Sequence, residues 1–118
     1  MIHDERRRVK VLVCGGRDFD DLALVETTLD AIEVTEIIEG GAKGADKLAR
    51  EWAEARGIPV RTFKADWRRY GRGAGPKRNE QMLDEGKPDL VVAFPGGKGT
   101  ENMIRLAQAA GVRVEGAA

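Results

Sequence analysis

Val9-Lys-Val-Leu-Val-Cys14-Gly15-Gly-Arg-Asp-Phe19 decides the fold of this chain. A short, β-rich apolar run with no polar face reads as a strand buried on both sides, and the glycine pair that ends it reads as a tight turn. Outward from it the pattern changes period. Between Asp20 and Val34 the apolar residues Leu22, Val25, Leu29 and Ile32 recur at helical spacing, with Asp20 or Asp21 placed to cap the helix. Thr35 to Glu39 is a second strand, Asp46 to Arg56 a second helix and Ile58 to Phe63 a third strand. A loop from Ala65 to Gly75 leads to a helix from Pro76 to Glu85, with proline in its first turn. Asp89 to Phe94, Thr100 to Ala110 and Val112 to Val114 complete the alternation as strand, helix and strand. Gly57, Gly86 and Gly111 each follow a helical pattern and read as left-handed caps.

Strict alternation with short returns predicts an α/β fold, a Rossmann-like three-layer sandwich with a parallel five-stranded sheet in the order 3-2-1-4-5. Residues 9–114 form the single domain, with 1–8 and 115–118 as tails. A chain of 118 residues holds one core of this kind. Its 20 Lys+Arg balance 20 Asp+Glu, so no global field draws it to nucleic acid or a membrane, and an anion site must be local. The single Cys14, the single His3 and the lack of any serine exclude a disulfide framework, a zinc cluster within one chain and a Ser-His-Asp triad. No metal site and no required cofactor are expected. No apolar run is long enough to span a bilayer and the first ten residues lack a signal peptide's apolar stretch, so the expected location is cytoplasmic.

The glycines carry the functional signal. Three are the caps above and Gly116 lies in the tail; the other 11 of the 15 fall in four segments that follow the first four strands. These are Gly15-Gly-Arg-Asp-Phe19, Gly40-Gly-Ala-Lys-Gly-Ala-Asp46, Gly71-Arg-Gly-Ala-Gly-Pro-Lys-Arg-Asn79 and Pro95-Gly-Gly-Lys-Gly-Thr100. In a parallel sheet such loops leave from one edge and form one floor, where glycine lets backbone approach a ligand and helix N-termini favour phosphate. Neither a complete dinucleotide fingerprint nor a Walker sequence is present, which argues against an ordinary NTPase.

At these segments, from Val9 to Val114, the sequence resembles the SLOG superfamily, which includes the LOG phosphoribohydrolases and DprA, and within it the YspA-like branch. The resemblance implies a Rossmann-like fold, self-association as a homodimer, and a nucleotide or nucleotide-derived ligand in the glycine-lined cleft. LOG enzymes cleave an N-glycosidic bond with an arginine and the glutamate of Pro-Gly-Gly-x-Gly-Thr-x-x-Glu. Arg78 followed by Met82 is similar to their arginine segment, while Met103 stands at the glutamate position.

The expected ligand-binding set is Gly15, Gly16, Arg17, Asp18, Gly40, Gly41, Lys43, Gly44, Asp46, Trp67, Gly75, Arg78, Asn79, Gly96, Gly97, Lys98, Gly99 and Thr100. Arg17 suits phosphate and Asp18 ribose hydroxyls, or the two pair on the surface. Asp46 either caps the second helix or meets the ligand, and Thr100 caps the last helix while holding phosphate. Trp67 and Tyr70, set among Arg68, Arg69, Arg72 and Lys77, suit base stacking, or Trp67 packs at a sheet edge or subunit contact. Cys14 reads as core and Trp52 as core or interface. The leading function is a sensor, carrier or sequestering module for an ADP-ribose-like or cyclic nucleotide. An N-glycosidase or phosphoribohydrolase using Arg78 with Glu101, Asp18 or Asp46 is the alternative, and single-stranded nucleic-acid binding a second.

Overall fold

A computed structural model describes residues 8–117. The elements are β1 (Arg8–Cys14), α1 (Leu22–Asp30), β2 (Glu33–Glu39), α2 (Ala45–Ala55), β3 (Val60–Thr62), α3 (Trp67–Tyr70), α4 (Ala74–Gly86), β4 (Leu90–Ala93), α5 (Lys98–Ala109) and β5 (Arg113–Gly116), with a 3-10 turn at Gly71–Gly73. The five strands form one sheet in the order β3-β2-β1-β4-β5. Every neighbouring pair is parallel. The expected Rossmann-like architecture is the one the chain adopts.

Strand side chains alternate between two cores because successive Cβ atoms point to opposite faces. Val11, Val13, Ile37, Leu90 and Val92 meet Val25 and Leu29 of α1 and Ala49, Trp52 and Ala53 of α2 on one face. Leu12, Cys14, Ile38, Val91 and Ala93 meet Met82 of α4 and Met103 and Ala107 of α5 on the other. Each fully buried aliphatic side chain contributes roughly 1.5–3 kcal/mol of transfer free energy. β1 is therefore the spine: Val11, Leu12 and Val13 are 0% exposed, and it pairs with both β2 and β4. The strand order reverses at β1, so the chain leaves β1 and β4 toward opposite faces of the sheet at its carboxyl edge.

Several boundaries differ from the sequence expectation. The segment expected as a loop from 65 to 75 is helical over Trp67–Tyr70, where the Asp66 carboxylate caps the helix by accepting from the Arg69 amide at 3.1 Å. Asp21 caps α1, accepting from the Leu24 amide at 3.0 Å. Gly57 and Gly111 take positive φ as expected, but Gly86 is the last residue of α4, and Lys87 adopts the left-handed conformation at φ 49°. Gly86 is glycine for another reason, since a Cβ there would lie 3.0 Å from Ile38 Cδ1. β5 begins one residue later than expected and reaches Gly116, and the Ala117 amide donates to Ala93 O, so 115–117 continue the sheet edge. The N-terminal tail expectation for residues 1–7, His3 among them, lies outside the described residues.

Candidate functional site

Three of the four glycine segments converge. The Gly16 amide donates to Pro95 O at 2.8 Å, and Gly16 O accepts from Ala45 at 3.2 Å, which ties the loop after β1 to the loop after β4 and to the start of α2. These approaches require glycine. A Cβ on Gly44, at φ 75°, would lie within 2.1 Å of Gly16 O; one on Gly96 would lie 2.7 Å from Gly16 N. Gly15 fits because its missing Cβ would sit 2.6 Å from that of Ala45. Much of the glycine signal is thus loop-against-loop packing. Gly97 and Gly99 differ: a Cβ there would meet nothing within 4 Å.

The fourth segment does not join this floor. Gly71 and Gly73 lie in the 3-10 turn after α3, and Gly75 lies in the first turn of α4, where a Cβ would be 3.6 Å from Trp67 Cη2. α3 intervenes between β3 and these glycines, which carries them away from the strand end. Trp67 itself is 57% exposed rather than packed at the sheet edge. Tyr70 is flanked by Lys77 Nζ at 4.8 Å and the Arg69 guanidinium at 5.0 Å from its ring centre.

The loop after β1 is a turn with Arg17 and Asp18 at its exposed corners. The Phe19 amide donates to Gly16 O at 3.3 Å and the Phe19 ring stacks on Phe94 at 5.1 Å between centres, so packing holds the turn from beneath. Lys43 and Lys98 are exposed beside it. α5 starts at Lys98 with Gly97 as its cap residue and no side-chain cap. Thr100 is therefore inside the first turn rather than at the cap, and its hydroxyl lies over Gly96, where a Cβ would meet it within 2.2 Å. α2 likewise starts behind Gly44 with no side-chain cap.

Asp46, at the second position of α2, does not cap that helix. Its Oδ2 accepts from the amides of Gly40 at 3.0 Å and Ala42 at 3.2 Å. Glu39, at the end of β2 and 0% exposed, accepts from the Gly41 amide at 2.7 Å and from the Thr62 hydroxyl, with Arg50 Nη1 at 3.8 Å. The amides of Gly40 and Gly41, expected to face a phosphate, are thus taken by carboxylates. Arg78 crosses from α4 to this loop. Its Nη1 donates to Gly40 O at 2.5 Å and its Nε to Asn79 Oδ1 at 3.0 Å. Asn79 is 4% exposed and donates in turn to Asn102 Oδ1 at 2.9 Å and Gly99 O at 3.3 Å, bridging α4 to the first turn of α5.

The result is a pair of buried carboxylates, Glu39 and Asp46, flanked by the half-buried Arg50 and Arg78. Burial pushes the Asp46 carboxyl up to about 6; the neighbouring Glu39 adds to this, while the Ala42 and Gly40 amides and Arg78 oppose it. Burial pulls Arg78 below the usual guanidinium range, against the attraction of Asp46 and Glu39. It also pushes the Cys14 thiol up to about 12, which makes Cys14 a core residue and not a nucleophile.

Of the expected catalytic residues, Arg78 belongs to this cluster, whereas Asp18 and Glu101 are exposed and neither bonds nor pairs with it. Met103, 0% exposed, points into the core beneath α5. Glu39, Arg50, Thr62 and Asn102 were not expected at the site. The one available signal was Glu39 itself, a carboxylate closing an apolar strand directly before paired glycines. Among the described residues no three His, Cys, Asp or Glu converge as metal ligands, and no helix is long and apolar enough to cross a membrane.

Two comparisons with known proteins agree with this architecture. Residues 9–70, from β1 through α3, match the model of the YAcAr family, described as the YspA, cpYpsA-related SLOG family. The chain is also similar to the Gene 61 protein of Mycobacterium phage D29, with 35% identity over 117 aligned residues that cover 89% of this chain and 93% of the phage protein. With the matched segment spanning β1, both converging loops of the first half and the Glu39–Asp46 carboxylates, the chain belongs to the YspA, cpYpsA-related SLOG family.

Proposed function

We propose that the chain binds a nucleotide or nucleotide-derived ligand, of the ADP-ribose or cyclic nucleotide type, at the carboxyl edge of the sheet, and serves as a sensor, carrier or sequestering module. The observation that carries this reading is the convergence of two uncapped helix starts on one glycine floor. α2 and α5 both begin there behind glycine with no side-chain cap, and the first turn of α5 is open at Gly97 and Gly99. The Ala45 amide of α2 is already taken by Gly16 O, so the first-turn amides on offer are those of α5; they and the positive end of each helix dipole favour an anion, and Arg17, Lys43 and Lys98 add full charges at the rim. Family membership supports a nucleotide-related role. No cofactor is needed, and self-association as a dimer is part of the proposal.

A second reading is an N-glycosidase or phosphoribohydrolase acting on nucleoside monophosphates. It is favoured by Asp46, whose carboxyl at about 6 is poised for proton transfer beside Arg78. A thermal-shift screen with AMP, ADP-ribose, NAD, cyclic AMP and a short single strand, each incubation followed by chromatography, separates the readings. Ligand at 100 times its Kd raises stability by about 2.7 kcal/mol. Stabilisation with intact ligand supports the binding module, and released base lost in Arg78→Ala supports the hydrolase. Stabilisation by the oligonucleotide alone would replace both with single-strand binding, and no shift with any probe would remove the reading.

A further inference from the structure

The cleft has a charge balance that one proton changes. Two buried carboxylates, Glu39 and Asp46, are matched by two half-buried guanidiniums: Arg50 lies 3.8 Å from Glu39, and Arg78 attracts both carboxylates. Both backbone donors to Asp46 converge on Oδ2, and no donor among the described residues reaches Oδ1. No buried side-chain polar atom among these residues is left unpaired, so Oδ1 is the oxygen in reach of solvent. Around Asp46 the charged and titratable groups are Cys14 from β1, Glu39 from β2, Arg50 on α2 and Arg78 from α4, with exposed Lys43 on the intervening loop. Cys14 stays a neutral thiol throughout the neutral range.

Resting on the reading that this edge takes a phosphate-bearing ligand, we propose that anion capture here is proton-coupled: ligand binding draws one proton from solvent onto Oδ1 of Asp46. With Asp46 ionised the cluster is neutral and its two cations are matched. Protonation removes one negative charge next to the incoming phosphate and leaves Arg78 and Arg50 opposed by Glu39 alone. The cleft becomes one charge more positive while Oδ2 still accepts from Gly40 and Ala42, so the loop keeps its shape. Low pH therefore favours ligand, and ligand favours the protonated carboxyl, as linkage requires. The raised Asp46 carboxyl places this exchange within the range where cells and compartments differ in pH.

The test is calorimetric titration with ADP-ribose and cyclic AMP, whose phosphodiester-type groups do not titrate near neutrality as a monoester does. A His3→Gln chain serves as the native background, because His3 is the sole histidine and would otherwise titrate in the same range. The expected result is binding roughly tenfold tighter at about pH 5.5 than at about pH 7.5, with proton uptake measured from two buffers of different ionisation enthalpy. In Asp46→Asn the tight value is expected at both pH values and the uptake disappears. Pairs of equal affinities with no uptake, binding being retained, would overturn the coupling and leave the nucleotide reading standing, as would an Asp46→Asn chain that keeps the native pH dependence. Absence of binding by either probe at either pH would remove the reading and the coupling together. Should Asp46→Asn not fold, uptake in the His3→Gln chain decides the matter: about one proton taken up on binding near neutral pH supports the coupling, and binding without uptake overturns it.

Discussion

Arg78 Nη1 donates to the carbonyl oxygen of Gly40 at 2.5 Å, which joins α4 on one face of the sheet to the loop that leads into α2 on the other. The contact exists because Gly40 has no Cβ; one placed there would lie 2.7 Å from Arg78 Cζ. Arg78 is therefore held before any ligand arrives, its guanidinium anchored at Gly40 and Asn79. Arg78→Ala is expected to destabilise the fold by about 2 kcal/mol through the two lost hydrogen bonds and the unbalanced carboxylates, and to abolish ligand stabilisation. Denaturant unfolding with and without AMP checks both; Arg78→Ala with full ligand response would exclude the arginine from the site.

Asp46 gives the fold a distinctive pH profile. Its carboxyl rises from 3.8 to about 6 on folding. Between these values the native state holds a proton that the unfolded chain releases, so this residue's contribution to stability falls as pH rises and is constant above the native value. Relative to Asp46→Asn, native stability is expected to drop by about 2 kcal/mol between pH 4.5 and 7.5. Urea unfolding of both chains across that range measures it, and a constant difference would contradict the burial argument.

The glycines divide by what surrounds them. Gly44→Ala places a Cβ within 2.1 Å of Gly16 O at φ 75° and ψ −126°, a conformation open to glycine alone, and is expected to cost at least about 2 kcal/mol. Gly99→Ala, in the first turn of α5 with open space at its Cβ, is expected to stabilise by about 0.5 kcal/mol and to weaken ligand binding by narrowing the floor. Melting temperatures with and without ADP-ribose distinguish the two classes.

Glu39 supports its loop through two acceptor oxygens. Glu39→Ala removes the acceptor of the Gly41 amide and the Thr62 hydroxyl at a half-buried position and empties the space of a fully buried side chain, and the expected loss is about 2 kcal/mol. Glu39→Gln keeps one acceptor oxygen and should cost less. Equal stability of Glu39→Ala and the native chain would show that the cluster does not hold the loop.

Trp67 lies outside the packed fold, so Trp67→Ala is expected to change stability by less than about 0.5 kcal/mol. If a base stacks on it, binding weakens by about 1–3 kcal/mol. Fluorescence quenching of Trp67 by AMP, measured with Trp52 as the buried reference, gives an independent reading.

The sequence alone determined the elements and the layers, because both follow from local signals, and it narrowed the sheet order. The apolar run at Val9 to Cys14, the helical spacing of Val25 and Leu29 and the glycines at 57 and 111 each express backbone sterics or burial within a few residues. Alternation and crossover handedness narrow the sheet to a few doubly wound orders, of which the chain adopts 3-2-1-4-5. Only the tertiary structure decided which glycines serve packing and which stay open, since that depends on contacts such as Gly44 with Gly16 and Gly96 with Thr100. It also decided that Asp46 spends its carboxylate on Gly40 and Ala42 rather than on a helix cap, and that buried Glu39 pairs with Arg50. A side chain's protonation and partners are set by neighbours distant in the chain, and the low dielectric around them raises the energy of every unmatched charge. That is why the carboxylate cluster became visible once β2, α2 and α4 were assembled.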